Sequence, residues 1–114
     1  MTMQTFLKID GLVYTVNEPE LSYTPSKTAL VKFSVCANRQ WKDGGGAAHE
    51  ESCFIECTCW GKLAESADKY VKKGDPLFIT GNLNQDRWEA KDGQKHSRHT
   101  MTVERIVFLK PKEE

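Results

Sequence analysis

Cys53-Phe54-Ile55-Glu56-Cys57-Thr58-Cys59-Trp60 runs directly into Gly61-Lys62-Leu63-Ala64-Glu65-Ser66-Ala67-Asp68-Lys69-Tyr70-Val71-Lys72-Lys73-Gly74-Asp75-Pro76. At that junction the hydrophobic period changes from about two to about 3.6 residues. In the first half, Cys53, Ile55, Cys57 and Cys59 share one face of an extended chain, and Phe54, Glu56, Thr58 and Trp60 share the other. In the second half, Leu63, Ala64, Ala67, Tyr70 and Val71 form one helical stripe. Glu65 with Lys69, and Asp68 with Lys72, are i,i+4 pairs in the favourable order. Lys72 and Lys73 suit a helix C-terminus, Gly74 can end it, and Pro76 blocks continuation. The spacing predicts a strand over 53–60 and a helix over 62–73.

Outward from this junction the period stays at two. Residues 6–16 read as a strand, with Gly11 marking a bulge or bend. Residues 17–28, with Asn17, Pro19, Pro25 and Ser26, read as a loop. Residues 29–38 alternate cleanly, with Ala29, Val31, Phe33, Val35 and Ala37 on the core side. Lys42 to Ser52, with Gly44, Gly45 and Gly46, reads as a flexible loop too long for a tight hairpin. Beyond the helix, a strand over about 77–90 carries Leu77, Ile79 and Leu83 on one face and Phe78 and Trp88 on the other. Lys91-Asp92-Gly93 is a turn signal, and a last strand covers about 95–109. The order is three strands, a helix, then two strands. A flat sheet of that size cannot bury its own faces, whereas a small closed barrel with a helix plugging one end can. The expectation is therefore an all-β chain with one helix: a five-stranded oligonucleotide/oligosaccharide-binding barrel with the helix between strands 3 and 4. An open α+β sandwich is the structural alternative.

Length and composition agree with one folded unit. The chain has 114 residues, 39% hydrophobic and 28% charged, which is ordinary for a globular domain and argues against disorder. The expected domain is 1–110, with 111–114 a short frayed end. The longest aliphatic or aromatic run, Ile106 to Leu109, is far shorter than the about 20 residues of a membrane helix. Met1 to Gly11 contains no apolar leader stretch, so a cytoplasmic location is expected. Sixteen basic residues balance sixteen acidic ones, so net charge alone does not point to nucleic acid, although partners feel local charges first.

Candidate chemistry divides sharply. Cys53, Cys57 and Cys59, with His49 nearby, form the one metal-like grouping. It lacks a Cys-x-x-Cys knuckle and shares its face with Ile55, so it reads as strand packing by soft, small hydrophobes, and no metal or cofactor is expected. Gly44-Gly45-Gly46 is not a phosphate loop, and no nucleophile elbow occurs. His49, His96 and His99 fall in predicted loop or hairpin regions and read as solvated. Glu50 and Glu51 sit in a flexible loop unsuited to catalytic geometry. An enzyme is not expected. The aromatics say more. Phe54, Trp60 and Trp88 lie off the core parity, and Trp41 lies just past a strand between Arg39 and Lys42. Exposed rings interleaved with cations suit single-stranded nucleic acid, whose bases stack and whose phosphates pair with cations.

Several segments also resemble a known family: Pro19-Glu20-Leu21-Ser22-Tyr23-Thr24-Pro25-Ser26, Ala37-Asn38-Arg39-Gln40-Trp41, Trp60-Gly61-Lys62-Leu63-Ala64-Glu65, Tyr70-Val71-Lys72-Lys73-Gly74-Asp75, Gly81-Asn82-Leu83, and Arg87-Trp88 with Asp92-Gly93-Gln94-Lys95. Their order and spacing over residues 6–109 resemble the bacterial single-stranded DNA-binding proteins. The resemblance implies a barrel that assembles as a homo-oligomer, with a tetramer favoured over a dimer. It further implies sequence-independent binding and protection of single-stranded DNA in replication, recombination and repair, near the nucleoid. It places stacking roles on Trp41, Phe54, Trp60 and Trp88, and phosphate contacts on Lys62, Lys73 and Arg87, to which Arg39 and Lys42 are added as cations flanking Trp41. Two departures stand out: Lys27 replaces the glycine that commonly follows the Thr-Pro-Ser turn, and Asn17-Glu18-Pro19 replaces an aspartate-proline entry. The family's Gly/Pro/Gln-rich linker and acidic tip do not follow Pro111, so tail-recruited partners are not expected from this sequence. A primosomal replication protein of the same fold is the close alternative, and a protein–protein adaptor barrel the more distant one.

Overall fold

Ala29, Val31, Phe33 and Val35 alternate in the sequence, and in the computed structural model, which describes residues 2–109, all four are buried along one face of a long strand. The elements in chain order are β1 (Lys8–Thr15), β2 (Glu20–Tyr23), β3 (Ala29–Lys42), β4 (Ala48–Trp60), α1 (Gly61–Tyr70), β5 (Pro76–Glu89) and β6 (Lys95–Phe108). The sheet runs β1-β5-β6-β4-β3-β2, and β1 also pairs with β3. That last pairing closes a ring of β1, β5, β6, β4 and β3, the five-stranded oligonucleotide/oligosaccharide-binding barrel. The ring has two short seams. β1 meets β3 only at Tyr14↔Cys36 and Thr15↔Val35, and β4 meets β6 in parallel at Glu56↔Thr100 through Thr58↔Thr102. Inside lie Val13, Val31, Phe33, Val35, Cys57, Cys59, Leu77, Ile79, Met101 and Val103, joined by Ala64, Ala67 and Val71 from the helix region. Two alanines on the helix's inner face let its backbone sit close to the barrel end.

The sequence reading needs several corrections. Residues 17–28 contain β2, so the helix follows four strands in chain order, although it still lies between the third and fourth strands of the ring. β2 is exposed along its whole length and is held by its register on β3, Glu20↔Lys32 to Tyr23↔Ala29, so no burial pattern announces it. The helix stops at Tyr70, three residues early. Val71 turns extended (φ −81°, ψ 128°) and is buried. Asp75 then shapes the next turn, its Oδ2 accepting from Lys72 N–H at 3.0 Å. Gly74, at φ +89°, serves that turn rather than the helix end. Tyr70 leaves the core stripe and meets Phe108 edge-on. Ala37 and Cys53 are exposed rather than core, because β3 and β4 have left the barrel by that point. Gly11 pairs regularly with Ile79, and the irregularity lies instead at Thr80/Gly81, where Glu104 of β6 is the extra residue. The predicted end segment 111–114 falls outside the described residues.

The supposed flexible loop of 42–52 is mostly strand. β3 and β4 pair continuously to Lys42↔Ala48, leaving a turn at Asp43–Ala47. Asp43 organises it. Its Oδ1 accepts from Gly45 N–H at 2.9 Å and Ala47 N–H at 3.0 Å, and its own N–H donates to Ala47 O at 3.0 Å. The triple glycine hides this because only Gly46 (φ +83°) needs the left-handed region.

Two positions carry backbone predictions. A Cβ on Gly81 would meet the Thr102 carbonyl oxygen, carbon and Val103 Cα inside contact distance. Gly81→Ala should therefore lower unfolding free energy by about 3 kcal/mol or more in a denaturant titration. Lys27 has φ +66°, the conformation a glycine adopts without strain. Lys27→Gly should raise stability by about 0.5–1 kcal/mol, the left-handed strain relieved less the added chain entropy.

Candidate nucleic-acid interface

Beyond the barrel, the outer parts of β3 and β4 continue as a two-stranded arm, and those of β5 and β6 continue as a second. Every residue from Ala37 to Phe54 is exposed, as are Asn84 to Glu89 and Lys91 to His99. Two-stranded ribbons have no third layer to bury a face, so large rings placed there stay in solvent.

On the first arm, Trp41 of β3 stands directly across from His49 of β4, and the rings stack at 5.3 Å with 20° between planes. Arg39 lies over the indole, its Cζ 4.9 Å from the centroid. His49 Nε2 is 2.7 Å from Asp43 Oδ2. An ionised carboxylate only accepts, so Nε2 carries the proton. The bond from His49, then that from Ala47 N–H, hold the Asp43 carboxyl below the usual carboxylate range. Lys42 lies at the tip, beside the turn.

On the second arm, Trp88 of β5 faces His96 of β6 and stacks on it at 5.6 Å and 23°. The cation over this indole is Arg98, at 5.7 Å. Arg98 also reaches Asp86 at 3.6 Å and Glu56 at 3.7 Å. Arg87 bonds Gln85 Oε1 at 3.1 Å instead of covering a ring.

Phe54 and Trp60 project from the same side of β4, away from the barrel interior. They are 65% and 47% exposed, so neither is absorbed into the core. Lys62 follows Trp60 on the first turn of the helix and is exposed. Lys73 lies in the turn beyond the far end of the helix, its N–H bonded to Glu18 at 3.2 Å. The structure thus gathers Arg39, Trp41 and Lys42 on one arm and Arg87 and Trp88 on the other, with Trp60 and Lys62 adjacent at the barrel. Lys73, past the other end of the helix, is adjacent in sequence to none of the four rings.

Sequence reasoning missed Arg98, His49 and His96 as parts of the ring clusters. All three histidines are exposed, as expected; His96 and His99 lie on the expected last strand, His49 lies on β4 rather than in a loop, and His49 and His96 are stacked on tryptophans. Glu50 and Glu51 likewise lie on β4. The alternation Lys95, His96, Ser97, Arg98, His99 opposite Arg87-Trp88 was the available signal.

Residues 12–109 match the profile described as the Single-strand binding protein family. The chain belongs to that family. Two curated relatives in it are the single-stranded DNA-binding protein of Wolinella succinogenes, 39% identical over 93 residues, and that of Helicobacter hepaticus, 40% identical over 93 residues. Each alignment covers 82% of this family member but only 57% and 55% of the relative, so the chain spans little more than half their length. A solved chain described as Plasmodium falciparum SSB complex with ssDNA superposes with a TM-score of 0.87, covering 96% of this chain and 100% of that one. At 18% identity it establishes the barrel architecture.

The cysteines of this family member do not converge. Cys57 and Cys59 are sealed in the core and Cys53 is exposed, and among the described residues no three metal-ligating side chains come together. Burial pushes the Cys57 and Cys59 thiols up to about 12, aided at Cys57 by Cys59 and Glu56. The thiolate is the reactive form. An alkylating reagent at pH 8 should modify Cys53 rapidly and leave Cys57 and Cys59 intact until denaturant is added, as read by peptide mass spectrometry. Equal labelling of all three in the native protein would contradict the buried placement.

Proposed function

We propose that this protein binds single-stranded DNA with little sequence preference and covers it during replication, recombination and repair, without catalysing a reaction. The observation that carries the reading is the pair of arms, each presenting an exposed tryptophan with a guanidinium over its ring. Phe54 and Trp60 extend the same chemistry across the barrel wall. Bases of any identity offer a face to stack on, so such a surface tolerates all sequences. The names of the Wolinella and Helicobacter relatives support this assignment. Trp41, Phe54, Trp60 and Trp88 serve as stacking platforms. Arg39, Lys42, Lys62, Lys73 and Arg87 meet phosphates, and the grouping of Arg39 and Lys42 with Trp41, Lys62 with Trp60 and Arg87 with Trp88 outweighs a net charge of zero. Binding follows from residues 1–110 alone in this reading, and the DNA places the protein in the cytoplasm with the nucleoid.

We propose further that the protein acts as a homo-oligomer, a tetramer in preference to a dimer. Leu12 and Phe78 pair across β1 and β5, with Tyr14 beside them, and all three are exposed on the outer barrel wall. A contiguous apolar patch of this kind is the chemistry of a subunit contact.

The test is a salt-titrated binding assay with oligo-dT, read by tryptophan fluorescence, beside a solution mass. Trp60→Ala or Trp88→Ala should weaken binding about 5- to 150-fold, since one stacked base is worth about 1–3 kcal/mol. Trp88→Ala should leave the salt slope nearly unchanged, because stacking releases no counterions. Lys73→Ala should instead flatten the log–log slope by about 0.7, the value for one lost single-strand phosphate contact. A parent protein with no salt slope is an adaptor barrel and not a nucleic-acid binder.

A further inference from the structure

The two arms repeat one construction on unrelated sequence. In each, a tryptophan and a histidine are direct cross-strand partners with stacked rings, and an arginine covers the indole. They differ in what holds the imidazole. His49 is tied to the Asp43 carboxylate at 2.7 Å, so a positive charge on it is answered within the protein. None of the described residues hydrogen-bonds the His96 ring. His96 lines a shallow concavity of about 480 Å³ together with Arg87, Trp88, Glu89 and Lys95.

We propose that His96 is a proton-linked phosphate contact: single-stranded DNA binding at the second arm takes up a proton on this imidazole. The inference rests on the DNA-binding reading above. Imidazole is the side chain whose charge ordinarily changes between pH 5 and 8. The charged groups around it are Arg87, Asp86 and Glu89 from β5 and Lys95 and Arg98 from β6, with Glu56 of β4 reaching Arg98. Asp86 and Glu56 are both directed at Arg98, at 3.6 and 3.7 Å, and Glu89 is the cross-strand partner of Lys95. Among the described residues no carboxylate forms an ion pair with His96. A phosphate arriving in the concavity supplies the missing anion and favours the charged ring. Trp88 keeps the imidazole in place in either form, since a cation over an indole face is also attracted. His49 lacks this role because Asp43 already occupies it.

Oligo-dT binding by the full chain, measured across salt at pH 6 and pH 8, tests the proposal. The parent should bind more tightly at pH 6, with a log–log slope steeper by about 0.7, one additional phosphate contact. His96→Gln should have the same slope at both pH values, and His49→Gln should keep the parent's difference. His96→Lys, which carries its charge throughout, should show the steep slope at both. All these sites are exposed on an arm, so the variants fold. A parent slope unchanged between pH 6 and pH 8, or a pH difference that survives in His96→Gln, overturns the assignment while leaving the function intact. A parent with no slope at pH 8 overturns both.

Discussion

The barrel depends on the segment Thr100–Val103 of β6, which carries one of its two short seams. It pairs in parallel with β4 on one side and antiparallel with β5 on the other, and Thr100, Met101 and Val103 are buried. Only three residue pairs hold the parallel seam. At Gly81 the β6 backbone lies closer to β5 than a side chain permits, and the ladder slips at that same point. The bulge adds twist locally, letting the two strands wrap the barrel on one side of it and run outward on the other.

This arrangement separates what holds the protein together from what it offers to a partner. The core is drawn from the inner sides of the five ring strands and the short face of the helix. The four candidate rings sit where no third layer exists, on arms or on the outer wall. Their exposure is therefore structural in origin and not a failure of packing. Each arm nonetheless restrains its tryptophan, with an imidazole on one face and a guanidinium nearby, so the indole is oriented before anything binds.

The sequence showed the barrel because strict alternation over 29–35 and the change of period at residues 60–62 are both burial patterns, and burial is what hydrophobicity reports. It failed where backbone hydrogen bonds act without burial. β2 is exposed on both faces. The Asp43 turn is built from backbone amides, and its glycines read as slack. Cys53 and Ala37 keep the parity of the core but lie past its edge, and parity does not say where a barrel ends. The same limit applied to the candidate site. Off-core parity singled out Phe54, Trp60 and Trp88, whereas the pairing of Trp41 with His49 and Trp88 with His96 needed the register of each arm. Arg98 covers Trp88 from the neighbouring strand, and the alternation over Lys95 to His99 points to it only once the β5–β6 register is known.

The ribbon form of the arms has one more consequence, for how such a chain can change. Adding or deleting a facing pair of residues near an arm's tip alters its length by one step of the ladder, about 3.4 Å per residue. Side-chain alternation along the remaining ribbon carries on up to the insertion, and no core residue moves. The reach of the arms, and with it the number of rings they can display, can therefore drift in evolution without passing through unstable intermediates, while Gly81 and the residues it touches have no such freedom.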